Sequence, residues 1–220
     1  MHRIYLHPLP VRIWHWINAA VCVTLLLTGV QLRYVGLIDV VSFRTAVSIH
    51  NWTGLALIAN FFLWLGYYLG SPRIRTYHAE PNPVKYFQGS LSQLVYYSFG
   101  IFKRAPEPFH PAVNSKFNPL QAMTYQILML LIIPVQAITG LMLWNLLGFS
   151  KAVAFFGGVR VIDTVHVLIF IFFAFYIPAH FYLGTLGRKP ITHFREMFTG
   201  YEEAEPAEPP PRSSGVGPAE

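Results

Sequence analysis

Four histidines, His15, His50, His166 and His180, lie within or at the edge of long apolar runs of the sequence. An ionisable side chain in a membrane-spanning segment is costly unless it faces the interior of a helix bundle and has a partner. His166 and His180 share one run, and fourteen residues of α-helix advance the chain by roughly 21 Å and return it to within about 40° of the same face. One helix face therefore carries two imidazoles at two depths.

A metal is the partner that buried imidazoles at these positions indicate. Imidazole is a standard axial ligand of haem iron, so histidines at two depths suggest two haems stacked across a bilayer. With no C-x-x-C-H stretch and a single cysteine, Cys22, covalent c-type attachment is excluded and haem b is favoured. The alternative is that some of the four are buried histidines bonded to backbone or hydroxyl groups. Five further histidines fall in polar segments and are expected to be solvated: His2, His7, His78, His110 and His193.

Four apolar runs must position the histidines. The sequence is 54% hydrophobic and only 12% charged, whereas a soluble domain carries about 25% charged residues. About 20 apolar residues in a helix cross the roughly 30 Å hydrocarbon core. We therefore predict an all-α membrane protein, a four-helix transmembrane bundle. Its spans are expected at about residues 14 to 34, 46 to 69, 119 to 147 and 161 to 186.

The rest of the chain is more polar. Between spans two and three, residues 71 to 117 contain apolar side chains at helical spacing, which predicts a cytoplasmic amphipathic helix lying on the membrane surface. These side chains are Val84, Phe87, Leu91, Leu94, Val95 and Phe102. The membrane domain is expected to comprise residues 1 to 198. Residues 199 to 220 lack apolar content, which predicts a disordered cytoplasmic tail.

The basic residues predict the orientation. Four spans place both termini on one side, and loops rich in Lys and Arg face the cytoplasm. Twelve basic residues share the side of the termini, whereas Arg33, Arg44, Lys151 and Arg160 lie on the other. The twelve are Arg3, Arg12, Arg73, Arg75, Lys85, Lys103, Arg104, Lys116, Arg188, Lys189, Arg195 and Arg212. This predicts a bacterial inner-membrane protein with both termini cytoplasmic, whose basic charge reflects topology and anionic lipid and not nucleic acid.

Alternating span direction pairs the histidines by depth. His15 begins the first span inside and meets His180, while His50 begins the second span outside and meets His166. We expect an inner haem between the first pair and an outer haem between the second. Basic side chains at span ends could bind the haem propionates, although an arginine that snorkels to the interface is the alternative. The candidates are Arg12, Arg33 and Arg160.

The stretch Arg12-Ile13-Trp14-His15-Trp16, with His50 and the spacing of His166 and His180, resembles a known family. It is similar to the dihaem cytochrome b subunits that anchor formate dehydrogenase, uptake nickel-iron hydrogenase and thiosulfate reductase-like complexes. The resemblance covers about residues 8 to 198. It implies a non-catalytic subunit that transfers electrons between a periplasmic iron-sulfur or cytochrome subunit and the membrane quinone pool.

A second stretch implies where quinone would react. Lys116-Phe117-Asn118-Pro119-Leu120-Gln121 resembles the family's Lys-Tyr-Asn-x-x-Gln, whose asparagine borders the quinone pocket, but has Phe for Tyr. The resemblance implies that Asn118, with Gln121 as a second candidate, contacts quinone beside the inner haem, where an amide can donate to a quinone carbonyl. Asn118 also precedes Pro119, as a helix cap would. Both roles can coexist if oxygen serves one and nitrogen the other.

Two other functions are compatible with parts of the sequence. A stand-alone dihaem b cytochrome, working as a homodimer between quinone and small oxidants, would share the spans and the histidines. A haem-free transporter with a histidine proton relay would need carboxylates in its spans, and the one acidic residue near a span is Asp163.

The outer connectors are unusually apolar. Large exposed apolar patches mark interaction sites, so these segments are expected to seat the periplasmic partner; contact with lipid headgroups is the alternative. The residues concerned are Val35, Leu37, Ile38, Val40, Val41 and 152 to 156.

Overall fold

A computed structural model describes residues 2 to 71, 82 to 106, 108 to 109, 117 to 186 and 191 to 204. Nearly all of these residues are helical. The α-helices are α1 Leu9–Arg33, α2 Phe43–Leu69, α3 Pro83–Val95, α4 Pro119–Ile127, α5 Ile133–Trp144, α6 Ser150–Phe155, α7 Val159–Gly184 and α8 Thr192–Thr199, with short strands β1 His2–Tyr5 and β2 Tyr201–Ala204. Several residues used in the predictions lie outside the described ranges: Arg73, Arg75, His78, His110, Lys116, Arg188, Lys189 and Arg212.

Four helical segments are long and apolar enough to cross a membrane: α1, α2, Pro119–Trp144 and α7. The predicted bundle of four candidate spans is confirmed. The third span joins α4 to α5 through a π-helical turn, Leu128–Ile132. Because Pro134 has no N–H to donate, a wider turn before it accommodates the missing helical hydrogen bond. The first span begins earlier than predicted, at Leu9, since prolines are compatible with a first helical turn.

The spans alternate in direction. We call the end of the bundle that holds β1 and β2 the terminal end, and the end that holds the connection from α1 to α2 the loop end. The connection from α5 to α7 also lies at the loop end and contains the short helix α6, which the sequence analysis treated as an apolar connector.

Polar side chains join α1 to α2. Asn60 is 3% exposed, and its Nδ2 donates to Asn18 Oδ1 at 3.4 Å. The indole of Trp14 donates to the Asn60 carbonyl at 3.0 Å. Such hydrogen bonds hold membrane helices together where apolar burial alone gives little driving force. An adjoining apolar cluster connects α2 to the third span and consists of Trp64, Tyr68, Met129 and Ile133.

The predicted helix between spans two and three is present as α3. Asn82 caps it, since its Oδ1 accepts from the Val84 N–H at 3.0 Å. One face packs on α4: a Cβ at Gly89 would lie 3.0 Å from Pro119, so the two helices approach closely. The apolar side chains of the predicted membrane face are exposed. That this face rests on a membrane stays a prediction.

The prediction of a disordered tail from residue 199 is wrong for residues 199 to 204. Thr199 ends α8, and β2 pairs with β1 in antiparallel register. The segment orders by backbone pairing, which does not require the apolar content that the sequence lacks. The indole of Trp16 donates to the Met197 carbonyl at 3.1 Å and its ring stacks on Phe198, which ties α8 to α1. Residues 205 to 220 lie outside the described ranges.

Replacing Gly200 by Ala should detach this C-terminal segment. Gly200 has a φ of +87°, and a Cβ there would lie 2.6 Å from the carbonyl oxygen of His7. Gly36 is a matched control because it shares a positive φ of +83° but has nothing within 4 Å of an added Cβ. We expect Gly36→Ala to cost about 1 kcal/mol, the left-handed backbone penalty, and Gly200→Ala to cost more. Thermal unfolding in detergent and limited proteolysis after α8 measure both effects; equal behaviour of the two variants would contradict the role of β2.

Candidate functional site

The first site joins α1 and α7 towards the terminal end. The imidazole centres of His15 and His180 lie 6.3 Å apart and the ring planes are inclined by 54°. His180 stacks on Tyr176 one turn earlier, at 5.9 Å, and His15 meets the edge of Trp16 at 5.2 Å. We call His15 and His180 the terminal pair. Their predicted proximity is present in the fold.

The second site joins α2 and α7 towards the loop end. The imidazole centres of His50 and His166 lie 6.4 Å apart and the planes are inclined by 69°. We call these two residues the loop pair, and their predicted proximity is also present. Helix α7 thus supplies one histidine to each pair, while α1 and α2 each supply one.

The ring separations fit a metal held between two imidazoles. With each metal–nitrogen bond about 2 Å long, a metal bound from opposite sides places the ring centres about 6 Å apart. Within the described ranges no group of three or more His, Cys, Asp or Glu is placed to hold a metal ion. Two protein ligands are too few for a typical structural zinc site, but they are the number that a haem iron takes axially. The residues present therefore fit haem.

Threonine hydroxyls contact the loop pair. Thr28 Oγ1 lies 2.9 Å from His50 Nδ1, and Thr139 Oγ1 lies 3.0 Å from His166 Nδ1. The Gln136 amide nitrogen lies 3.3 Å from the other ring nitrogen of His166, Nε2. The sequence analysis did not identify Thr28 or Thr139 as contacts of the histidines. The sequence signal for these contacts was a polar side chain in each of two apolar spans, at the depth of His50 and His166.

A cavity of about 580 Å³ adjoins the loop pair, within the usual 300 to 1,000 Å³ range of ligand sites. Glycines from three spans line it: Gly29, Gly54 and Gly140. A Cβ at Gly140 would lie 3.2 Å from His166 Cε1, whereas one at Gly54 would meet open space. Glycine therefore lets α5 approach the imidazole closely and leaves room beside α2.

The three arginines predicted near haem propionates lie in different surroundings. Arg33 lines the cavity and is 3.9 Å from Asp163, which also lines it. Arg160 is exposed and is not among the lining residues. Arg12 donates from its guanidinium to the Phe198 carbonyl. Of the three, Arg33 is the one that the fold brings to a histidine cavity; a propionate contact stays a prediction for all of them.

The predicted helix cap at Asn118 is confirmed. Asn118 Oδ1 accepts from the Gln121 N–H at 2.8 Å, and Gln121 Oε1 accepts from the Asn118 N–H at 3.1 Å, which together form a capping box. Asn118 is 3% exposed, and its Nδ2 donates to the Tyr97 hydroxyl at 3.3 Å. The asparagine oxygen and one amide hydrogen are thus occupied within the protein. Contact with a quinone stays a prediction.

The chain has recognisable relatives. No solved structure is significantly similar to it. It is 33% identical over 203 residues to the protein named "Putative cytochrome YdhU" of Escherichia coli (strain K12), a match that covers 90% of this chain and 74% of that protein. A model of the family described as "Prokaryotic cytochrome b561" matches residues 6 to 200. The chain therefore belongs to the prokaryotic cytochrome b561 family, a family of membrane b-type cytochromes that bind haem b and act in electron transfer.

Proposed function

We propose that the chain is a membrane-anchoring dihaem subunit that transfers electrons between a periplasmic redox partner and the quinone pool. The observation that carries this proposal is the presence of two histidine pairs, each with the ring spacing of a shared metal, at two depths of one bundle. Family membership supports haem b as the group they bind and disfavours a haem-free histidine relay. The dihaem arrangement, the partner and the quinone are our proposal.

In this proposal the terminal pair holds one haem and the loop pair holds the other. Bound haem supplies one-electron transfer at its iron. The protein contributes fixed ligand positions, because each pair bridges two helices and α7 belongs to both pairs. Gly29 and Gly140 let their helices approach His50 and His166 closely, and Gly54 leaves open space beside α2. Arg33 at the cavity offers a cation to a propionate.

The excess of basic residues on the terminal side supports a cytoplasmic terminal end and a periplasmic loop end. The periplasmic partner, an iron-sulfur or cytochrome subunit, would then dock on the loop end and reach the loop-pair haem first. The exposure of apolar side chains at that end supports such an interface: Val35 is 69% exposed, Val40 78%, Leu147 90% and Phe155 83%.

In this proposal quinone reacts beside the terminal pair, so that it exchanges protons with the cytoplasm. The buried polar contacts around Asn118 support a site whose hydrogen bonds are already organised. The remaining amide hydrogen of Asn118 would be the donor to a quinone carbonyl. Gln121 acts through the capping box, which fixes the position of Asn118.

Replacing any one of His15, His50, His166 and His180 by alanine should remove one haem and spare the other. Each haem depends on two helices, so His15→Ala and His180→Ala should lose the same component of the reduced-minus-oxidised spectrum. His50→Ala and His166→Ala should lose the other component. Haem-to-protein ratios and redox-resolved spectra measure this, and His193→Ala is the control. Retention of both haems with unchanged spectra in any of the four variants would contradict the assignment.

Replacing Phe155 or Ile38 by lysine should release the periplasmic partner while both haems remain. A charge in an apolar interface loses burial and desolvates an ammonium group, and either effect weakens docking by at least about tenfold. Phe102→Lys is a matched control, because Phe102 is also exposed, at 69%, but belongs to the segment that follows α3. Co-purification from membranes provides the measurement. Full recovery of the partner with Phe155→Lys would place the interface elsewhere.

Asn118→Asp should slow quinone-linked turnover by about tenfold, the equivalent of losing roughly 1.4 kcal/mol of hydrogen bonding. Aspartate keeps the capping oxygen but removes the amide donor, and because Asn118 is 3% exposed, unfolding stability is measured in parallel. Asn82→Asp is the control for an aspartate cap, since Asn82 caps α3 at an exposed position. Turnover with a quinol analogue is compared with haem reduction by a soluble donor. Wild-type turnover in both Asn118→Asp and Gln121→Ala would exclude this quinone position.

A further inference from the structure

Both histidines of the loop pair have a threonine hydroxyl at the same ring nitrogen. The distances are 2.9 Å from Thr28 to His50 Nδ1 and 3.0 Å from Thr139 to His166 Nδ1. Both threonines are buried, at 8% and 5% exposed, and they come from α1 and α5, which do not carry the histidines they contact. Helix α1 thus places a hydroxyl against a histidine of α2, and α5 places a hydroxyl against a histidine of α7.

The direction of these hydrogen bonds follows from the helix backbone. A hydroxyl has one hydrogen, and Thr28 donates it to the Thr24 carbonyl at 2.7 Å, while Thr139 donates to the Val135 carbonyl at 2.8 Å. Each oxygen therefore offers a lone pair to the imidazole. The imidazole donates through Nδ1–H, which leaves the lone pair of the neutral ring on Nε2. In this structure the Gln136 amide nitrogen lies 3.3 Å from His166 Nε2, so this amide must move aside for a metal to bind at that lone pair.

We propose that Thr28 and Thr139 are positioning residues that select Nε2 of His50 and His166 as the iron-binding atom and lower the reduction potential of the haem between them. The inference rests on the proposed ligation of a haem by the loop pair. A hydrogen bond accepted from the distal N–H of a ligating imidazole fixes its orientation and raises its basicity. A more basic ligand stabilises the ferric iron, and hydrogen bonding around the ligands is one of the means by which proteins set haem potentials.

The terminal pair differs in this respect. His15 Nδ1 is buried and has no hydrogen-bond partner among the described residues. The protein therefore does not strengthen His15 in the way that it strengthens His50 and His166. One bundle thus provides two chemically different ligand sets, and the threonines account for part of the difference between the two haem potentials.

The test compares Thr28→Val and Thr139→Val with Thr28→Ser and Thr139→Ser in the full-length, haem-loaded protein. Valine keeps the volume and removes the acceptor, whereas serine keeps the hydroxyl. Thr24→Val is the matched control, because Thr24 makes the same kind of bond to a carbonyl on α1, that of Ala20, and contacts no histidine ring. Potentiometric titration followed optically gives one midpoint potential for each spectral component. The component lost in His50→Ala identifies the loop-pair haem.

We expect each valine variant to raise the midpoint potential of the loop-pair haem and to leave the other haem unchanged. Serine variants and Thr24→Val should retain the wild-type potentials. If a valine variant loses the haem, retention by the matching serine variant still supports the hydroxyl, whereas loss by both overturns it. Unchanged potentials in both valine variants, or an equal shift in Thr24→Val, would also overturn the inference. A wild-type protein with one haem would contradict the dihaem proposal alone, and the threonine variants would still report on the component that depends on His50.

Discussion

The fold depends on the cost of polar groups in hydrocarbon. Backbone groups avoid this cost by forming helices, but an imidazole must find its own partner inside the bundle. Helix α7 carries two histidines fourteen residues apart, so it needs partners at two depths. The antiparallel course of α1 and α2 meets this need, because His15 lies near the start of a helix that runs in one direction and His50 near the start of one that runs back. Chain order and span direction together determine which histidines meet.

The features that depend on helix rise and on local capping chemistry could be predicted from the sequence. Span lengths, the two histidine proximities and the cap at Asn118 all follow from fixed distances along the chain, and the structure contains them. The haem ligation itself stays a prediction, with which both ring separations are compatible.

Features that depend on how the helices rotate about their axes could not be predicted. The spans are apolar on all sides, so their hydropathy does not reveal which face turns inward, and the contacts of Thr28 and Thr139 with the imidazoles were missed. The strand β2 was missed because its partner β1 lies at the opposite end of the chain, and composition does not indicate pairing between such distant segments. The bond from the Arg12 guanidinium to the carbonyl of Phe198 could not be predicted either, because the sequence analysis did not foresee α8.

The distribution of polar side chains explains why two similar histidine pairs acquire different surroundings. Towards the terminal end, Asn60 bonds to Asn18 and to the Trp14 indole, so these polar groups join α1 to α2, whereas His15 Nδ1 has no hydrogen-bond partner among the described residues. Towards the loop end, the polar groups that contact the Nδ1 atoms of the histidines are hydroxyls whose single hydrogen is already donated within their own helix. A hydroxyl in that state can only accept, and an imidazole N–H is the donor within reach. The same requirement to satisfy every buried polar group thus supports helix pairing at one end and orients the histidines at the other.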